Sequence, residues 1–576
     1  MNRKCRRPFS TAIAVLLFTS LVIGTGSLSY AGDAEEPTAK EAARVAGWYV
    51  SFDEEAEGAP AVLSQGILTM QDGLITAVED YCEGEEGVVY LDDECLILPG
   101  LLDLHTHFGY NGMQLWYSEE NESPWDNRFE WRAAQEYMKA ISEKDDILSD
   151  EWENAYFTEN ATMGDLVDYF EELQAAAGGT TLIQGKNDRP DTYNSADSHK
   201  KLRIVRSTGD EEDVGAEEGV LSITQVFVPD PLLSTEDPST YLPPIDTSAW
   251  GIANAPDKVT GGEYLEELLQ DLKDKKDRGY LIHLAEGRAG NLTGSGDDYS
   301  RREFEQFKET VRQGIEAGDF TAEDVRNAHI ILIHACGIHL DNEDDRQFVK
   351  DCGIGIVWSP VSNLILYADT PDFYEYMGEE GLRIAVGSDW SPSGSKNVWD
   401  ECKFAYAFMQ AHASDQEKIP EKLLKAATYD AAAMSGSEKA GNIRPDAYAD
   451  LFILRGAEPM DGDAEKALEL FVNAEDSDVE AVLVNGRPVY GEEKTVNALT
   501  EKDSSQVYGQ FTTDVEGLEN KYFLIPELFA GSTLSDLEHD YRMFLMAAGV
   551  TVSGVRGADD PYYETCLQEL QAEYAR

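Results

Sequence analysis

The chain has 576 residues, with 110 Asp plus Glu against 46 Lys plus Arg and a formal charge of -64. At roughly 100–200 residues per domain this length allows more than one domain, and 42% hydrophobic with 10% aromatic content excludes wholesale disorder. The charge excludes a general affinity for nucleic-acid phosphates or an anionic membrane surface.

The first residues, Met1 to Arg7, are basic, and an apolar run from Ala12 to Ile23 leads to Ser29-Tyr30-Ala31. That is the order of a secretory signal peptide cleaved after Ala31. The run is shorter than the roughly 20 apolar residues of a membrane span, so residues 1–31 predict export to the periplasm or medium with no stable membrane anchor. Of the 46 basic residues, four lie in this segment, so 42 remain against 110 acidic ones, a net charge of -68. Such self-repulsion is relieved by salt, which suggests a saline habitat; acidic surface loops on a soluble extracellular protein are the plainer reading. The six later cysteines are sparse and form no CxxC pair, so neither a disulfide framework nor a cysteine zinc site is indicated.

Residues 42–99 read as short strands. Gly66–Met70 and Leu74–Val78 flank Asp72-Gly73, a hairpin signal, and Glu94–Leu98 stops at Pro99-Gly100. From Leu101 helices and strands alternate. Asp165–Ala177 reads as a helix ended by Gly178-Gly179, with Thr180–Gln184 as a strand. Leu265, Leu268, Leu269 and Leu272 form a helical stripe before the strand Tyr280–Ala285, and Phe304, Phe307, Val311 and Ile315 form another before Ile330–His334. Ile354–Trp358 and Arg383–Gly387 follow. This alternation predicts an α/β fold, a (β/α)8 barrel over residues 101–439. Strands return at Ala449–Leu454, Ala481–Val484 and Pro488–Tyr490, and residues 494–576 form an acidic extension with no assigned role.

Four of nine histidines fall at or near the ends of these strands. His105 and His107 alternate with Thr106 on an extended segment, so both side chains point to one face. His283 ends one strand with Glu286 close behind, His334 ends another, and Asp389 follows Gly387-Ser388. In a (β/α)8 barrel these strand ends meet at one mouth. Three imidazoles and a carboxylate suit zinc or ferrous iron better than calcium or magnesium. A single histidine of this kind is more often a buried core residue, but four gathered at the ends of three separate apolar strands are not. Cys336, near His334, is read as a small buried hydrophobe. Gly179 to Asn187 superficially resembles a phosphate loop, but the spacing is too long and no Ser or Thr follows Lys186, so that reading is rejected. There is no GxSxG to support a serine hydrolase.

Leu98-Pro99-Gly100-Leu101-Leu102-Asp103-Leu104-His105-Thr106-His107 resembles the opening motif of the amidohydrolase superfamily, and Gly441-Asn442-Ile443-Arg444-Pro445-Asp446-Ala447-Tyr448-Ala449-Asp450-Leu451 its closing motif. Between them, in the family order, stand His283-Leu284-Ala285-Glu286, the His334 strand, Ser359-Pro360-Val361-Ser362-Asn363-Leu364 and Gly387-Ser388-Asp389. The resemblance is closest to the branch of cytosine deaminase, S-adenosylhomocysteine deaminase and triazine hydrolases. It implies a barrel whose flanking strands, residues 42–100 and 440–493, join in a small β-sandwich. It also implies one metal held by His105, His107, His283 and Asp389. Dinuclear relatives use a lysine on the fourth strand, and the expected fourth strand here, Leu221–Pro229, has none. Glu286, His334 and Asp389 are then the catalytic candidates, and Asn363 and Trp390 the candidate substrate contacts. Trp116, Trp125 and Trp131 are available to stack on a ring, though packing is the commoner use. The implied activity is hydrolysis of a non-peptide C–N bond in a small molecule by metal-activated water. Displacement of chloride or another group from a heteroaromatic ring is the alternative, and a catalytically silent binding protein the third reading. A homo-oligomer is compatible with all of these.

Overall fold

The computed structural model describes residues 42–107, 110–116, 124–142, 161–184, 204–208, 220–223, 261–500, 506–510, 513, 515–547 and 549–575. The signal peptide, Lys186 and the end of the expected fourth strand lie outside the described residues.

The chain opens with β1 (Ala43–Phe52), β2 (Ala61–Gln71) and β3 (Leu74–Asp80), then β4 (Val88–Tyr90) and β5 (Cys95–Pro99). The expected hairpin is β2–β3, turning through Asp72 (φ 52°) and Gly73 (φ 82°), the left-handed pair that a tight hairpin demands. At the other end come β14 (Leu451–Arg455), β15 (Val479–Val484), β16 (Arg487–Glu492), β17 (Val507–Gln510) and β18 (Lys521–Ile525). Both ends join in one ten-stranded sheet, sewn together where β5 pairs antiparallel with β14 from Pro99↔Leu451 to Cys95↔Arg455. Val45, Leu68, Ile97, Leu451, Ile453 and Leu483 form its own buried core. The residues after 493 are not an appendage, because β18 extends this sheet by pairing Tyr490 with Phe523.

Between the two ends run eight parallel strands in two groups. β6 (Leu101–Asp103), β7 (Thr180–Ile183) and β8 (Arg206–Ser207) form one. β9 (Val220–Ile223), β10 (Gly279–Leu284), β11 (Ile330–His334), β12 (Gly355–Trp358) and β13 (Arg383–Val386) form the other. The groups meet at both edges: Thr106 bridges in parallel to Asp389, and Val220 N–H donates to the Thr208 carbonyl at 2.9 Å. Leu102, Leu182, Leu281, Ile331, Ile333, Val357 and Ala385 make one inner cluster, while Tyr280, Ile282, Ile330 and Leu332 pack outward. This is the alternation of an α/β barrel wall, inward residues filling a core and outward ones meeting helices. The helix Asp298–Ala317 illustrates the outer layer. Asp297 caps its start by accepting from Ser300 N–H, left-handed Gly318 ends it, and Phe304, Phe307 and Val311 are buried beneath it.

Candidate metal centre and its surroundings

His105 follows β6, His283 lies in β10, His334 ends β11, and Asp389 follows β13. Strand alternation alone would not gather them. Ile331 and Ile333 share the inner face, so His334 belongs by alternation with the outward Ile330 and Leu332. A positive φ of 60° at His334, with 50° at Ala335, breaks the alternation, and the imidazole ring comes to 4.6 Å from that of His105. Ala285 (φ 57°) and Asp389 (φ 63°) make the same left-handed departure. Each costs about 1–3 kcal/mol for a residue with a Cβ, a strain that characteristically collects at functional sites. Gly387 permits the close approach of β13 to His105, since a Cβ there would stand 2.6 Å from both His105 Cβ and Val357 Cγ1.

The ligating atoms converge. His283 Nε2 lies 3.1 Å from both His105 Nε2 and His107 Nε2, and Asp389 Oδ1 lies 3.2 Å from His105 Nε2 and 3.4 Å from His107 Nε2. For zinc with bonds of about 2.0–2.1 Å, the edge of a tetrahedron is about 3.3–3.4 Å, so this donor set fits one borderline cation. Burial is the main reason that His105 is pushed down to about 4 and His283 lies well below its ordinary value, so both present neutral lone pairs. Burial opposes ionisation of Asp389, but the neighbouring His105, His107 and His334 together hold the carboxyl well below its usual range. His105, His334 and Asp389 form an overlapping group. His334 Nε2 stands 3.9 Å from Glu286 Oε1 and 4.0 Å from Asp389 Oδ2, too far for hydrogen bonds and near enough for one small molecule to touch all three.

A second layer orients the first. Ser359 Oγ shares a hydrogen bond with His105 Nδ1 at 2.7 Å, which leaves Nε2 for the cation, and Ser362 Oγ donates to Asp389 Oδ2 at 2.5 Å. Asp103, buried under His105, accepts from Ser388 Oγ and from the main-chain N–H groups of His105 and Ser388. Asn363 is fully buried behind His334, its Oδ1 3.1 Å from His334 Nδ1 and its Nδ2 donating to Thr370 Oγ1 at 3.3 Å, so that it orients the imidazole.

Glu286 is gripped on both sides. Tyr367 donates to Oε1 at 2.7 Å, and the buried Arg128 guanidinium lies 3.5 Å from Oε2 and donates to the His283 carbonyl at 3.2 Å. Trp131 Nε1 donates to Tyr367 OH at 2.8 Å. Trp390 packs 6.0 Å from the His107 ring, with Tyr110 at 4.9 Å and Trp131 at 6.0 Å from Trp390. Trp116 and Trp125 are held by main-chain bonds to the Pro392 and Leu366 carbonyls. Cys336 is buried with Sγ 3.8 Å from the His334 carbonyl, outside the ligand groups, and burial pushes its thiol up. All six cysteines of the described residues are free. Among the described residues no helix is long and apolar enough to cross a membrane.

Sequence reasoning missed Tyr367 and Arg128. Tyr367 lies one helical turn beyond Asn363, a usable signal; Arg128 sits in a long connection with no pattern to mark it.

The chain is similar to several known proteins. Residues 247–489 match the model of the amidohydrolase family, a span that holds His283, Glu286, His334 and Asp389 but not His105 and His107. A 5-methylthioadenosine/S-adenosylhomocysteine deaminase of Caldanaerobacter subterraneus subsp. tengcongensis is 25% identical over 453 residues, 73% of this chain and 91% of that protein. A 5'-deoxyadenosine deaminase of Methanopyrus kandleri is 24% identical over 452 residues, 75% and 91% respectively. The solved guanine deaminase of E. coli superposes with a TM-score of 0.49 at 16% identity, covering 78% of this chain and 99% of its own.

Proposed function

We propose that this chain is an amidohydrolase, a metal-dependent hydrolase of non-peptide C–N bonds, and that it is an exported mononuclear enzyme. Its reaction is deamination, or opening of a cyclic amide or amidine, in a small heterocyclic compound. The observation that carries this reading is the convergence of His105, His107 and His283, with Asp389 within 3.4 Å of the first two and Glu286 and His334 beside them. Export rests on residues 1–31 of the sequence and favours scavenging or detoxifying an external compound.

In this reading zinc or ferrous iron is held by those four ligands. Such a cation, when bound, lowers the pKa of water to roughly 7 and makes a nucleophile available at neutral pH. Asp389 Oδ2, free of the two histidines that face Oδ1, accepts the proton released as water adds to the sp2 carbon. His334, with Nδ1 bonded to Asn363, presents Nε2 to the developing oxyanion. Glu286, held by Tyr367 and Arg128, carries one of the water's two protons to the ring nitrogen, and Asp389 returns the other to the leaving amine; general acid–base transfer of this kind is worth about 10²–10⁴ in rate. Trp390 forms the wall beside His107 against which a flat ring rests.

The test is metal content of the purified protein together with ammonia and chloride release from nucleobases, nucleosides, cyclic amides and triazines. About one zinc or iron per chain with ammonia release supports the reading, and Glu286→Gln must abolish turnover while keeping the metal. Chloride without ammonia moves it to dehalogenation. About two metals moves it to the dinuclear branch, and no metal after reconstitution leaves a silent binding protein.

A further inference from the structure

The segment after residue 550 reaches the candidate site from two directions. Lys396 closes the loop that begins at Asp389 and is 2% exposed. An ammonium has three donor hydrogens, and its partners here are Ser553 Oγ at 2.5 Å, the Gly554 carbonyl at 2.9 Å and Asp560 Oδ2 at 3.0 Å. Asp560 is itself held by N–H groups of Gly554 at 3.0 Å and Tyr563 at 3.1 Å. Lys396 N–H donates to Tyr563 OH at 3.4 Å, and the ammonium lies 4.7 Å from the Tyr563 ring centroid.

The second contact is main-chain pairing. Val552 bridges antiparallel to Met113, Gln114 N–H donates to the Thr551 carbonyl at 3.0 Å, and Ser553 N–H donates to the Gly112 carbonyl at 2.9 Å. From there a chain of amides leads inward. Gln174 Nε2 donates to the Gly554 carbonyl at 3.2 Å, and its Oε1 accepts from Ser391 Oγ at 3.3 Å. Asn111 accepts from Ser391 N–H at 3.1 Å and donates to Thr106 Oγ1 at 3.1 Å. Thr106 stands between His105 and His107 and bridges to Asp389, whose N–H donates to the His105 carbonyl at 2.7 Å.

We propose that residues 551–563 are a working part of the active site, a strap that sets the loop carrying Asp389 and the segment behind the histidine pair. Lys396 and Asp560 are its positioning residues. A buried ion pair is poor evidence of stabilisation, because desolvation offsets the attraction. What this one accomplishes is geometric, since every donor of Lys396 is spent on a segment far away in sequence. The proposal rests on the metal-dependent reading of the site, and its test has a readout besides turnover.

The full chain is loaded with zinc and challenged with a chelator. Asp560→Asn is expected to release zinc about tenfold faster and to lower kcat about tenfold, the range seen when ligand supports are lost. Ser553→Ala, the milder change, is expected to act in the same direction and serves if Asp560→Asn does not fold. Glu492→Gln is the control. It breaks another ion pair of the C-terminal region, buried Lys521 with partly exposed Glu492 at 2.6 Å on the sheet, and should lower Tm while leaving zinc release and kcat within about twofold. Wild-type zinc release in both strap variants, or equal effects from Glu492→Gln, would overturn the proposal. A chain that holds no metal would sink the functional reading instead. The strap is then read by amide hydrogen exchange in residues 110–116 and 388–397, which Asp560→Asn must accelerate and Glu492→Gln must not.

Discussion

Tyr367 and Glu286 share a 2.7 Å hydrogen bond in which the phenol donates and the carboxylate accepts, while the indole of Trp131 donates to the same phenol oxygen. The bond fixes which oxygen of Glu286 faces His334. Tyr367→Phe keeps the packing and removes that constraint, so kcat should fall about 10–100-fold with metal content unchanged. Steady-state kinetics beside metal analysis decide it, and unaltered kcat would remove Tyr367 from the machinery.

Asn363 acts through His334, so its loss should appear in kcat and not in KM. Asn363→Leu leaves His334 Nδ1 without its 3.1 Å partner, with an expected loss of about 10–100-fold in kcat. A change confined to KM would return Asn363 to the substrate side of the site.

Acid should destabilise the metal-free protein through its histidines. Burial pushes His105 down to about 4 and holds His283 well below its usual value, whereas the unfolded chain protonates both near 6.5. Between those limits the unfolded state binds more protons, so their contribution is complete above about pH 6.5 and declines as pH falls towards about 4. Scanning calorimetry of the apo forms from pH 7 to 4 should show a shallower decline for His283→Asn than for wild type. Parallel curves would contradict the buried, neutral state.

Gly387→Ala puts a methyl group 2.6 Å from His105 Cβ. Overpacking of this kind costs about 1–3 kcal/mol, and the displaced imidazole should weaken metal binding as well. Denaturant unfolding and metal titration are the measurements, and a variant unchanged in both would show that the wall yields.

With a charge of -64, self-repulsion should be strong in dilute buffer and screened in salt. The unfolding midpoint is expected to rise between low and molar salt. No shift would count against the saline reading.

Periodicity carried the order of elements well. The hairpin at Asp72-Gly73, the helix Met163–Ala177 and the strands that carry His283 and His334 stand where apolar spacing and glycine punctuation put them. Four ligands could be named because they stand at or near the ends of three apolar runs. What the pattern could not carry is reach across the fold. Nothing near Arg128 announces that its guanidinium would lie against Glu286, and Asn363 looks equally polar whether it meets substrate or the back of His334. The role of Lys396 depends on Asp560, and no local spacing links them. The short helices after Ser359 and Thr428 were hidden too, being brief and without a fully exposed residue to set a period.

The seam between β5 and β14 has a consequence for how the molecule comes into being. Cys95 to Pro99 cannot find Leu451 to Arg455 until the whole barrel segment between them exists, and only then is the sheet continuous. Contacts this distant in sequence must bear a loop-closure entropy before any pairing rewards it, and ordering them is slow. The first five strands therefore wait with one edge open, ready to pair with the wrong chain. Refolding yield should be governed less by the barrel than by how long that edge stays unclaimed.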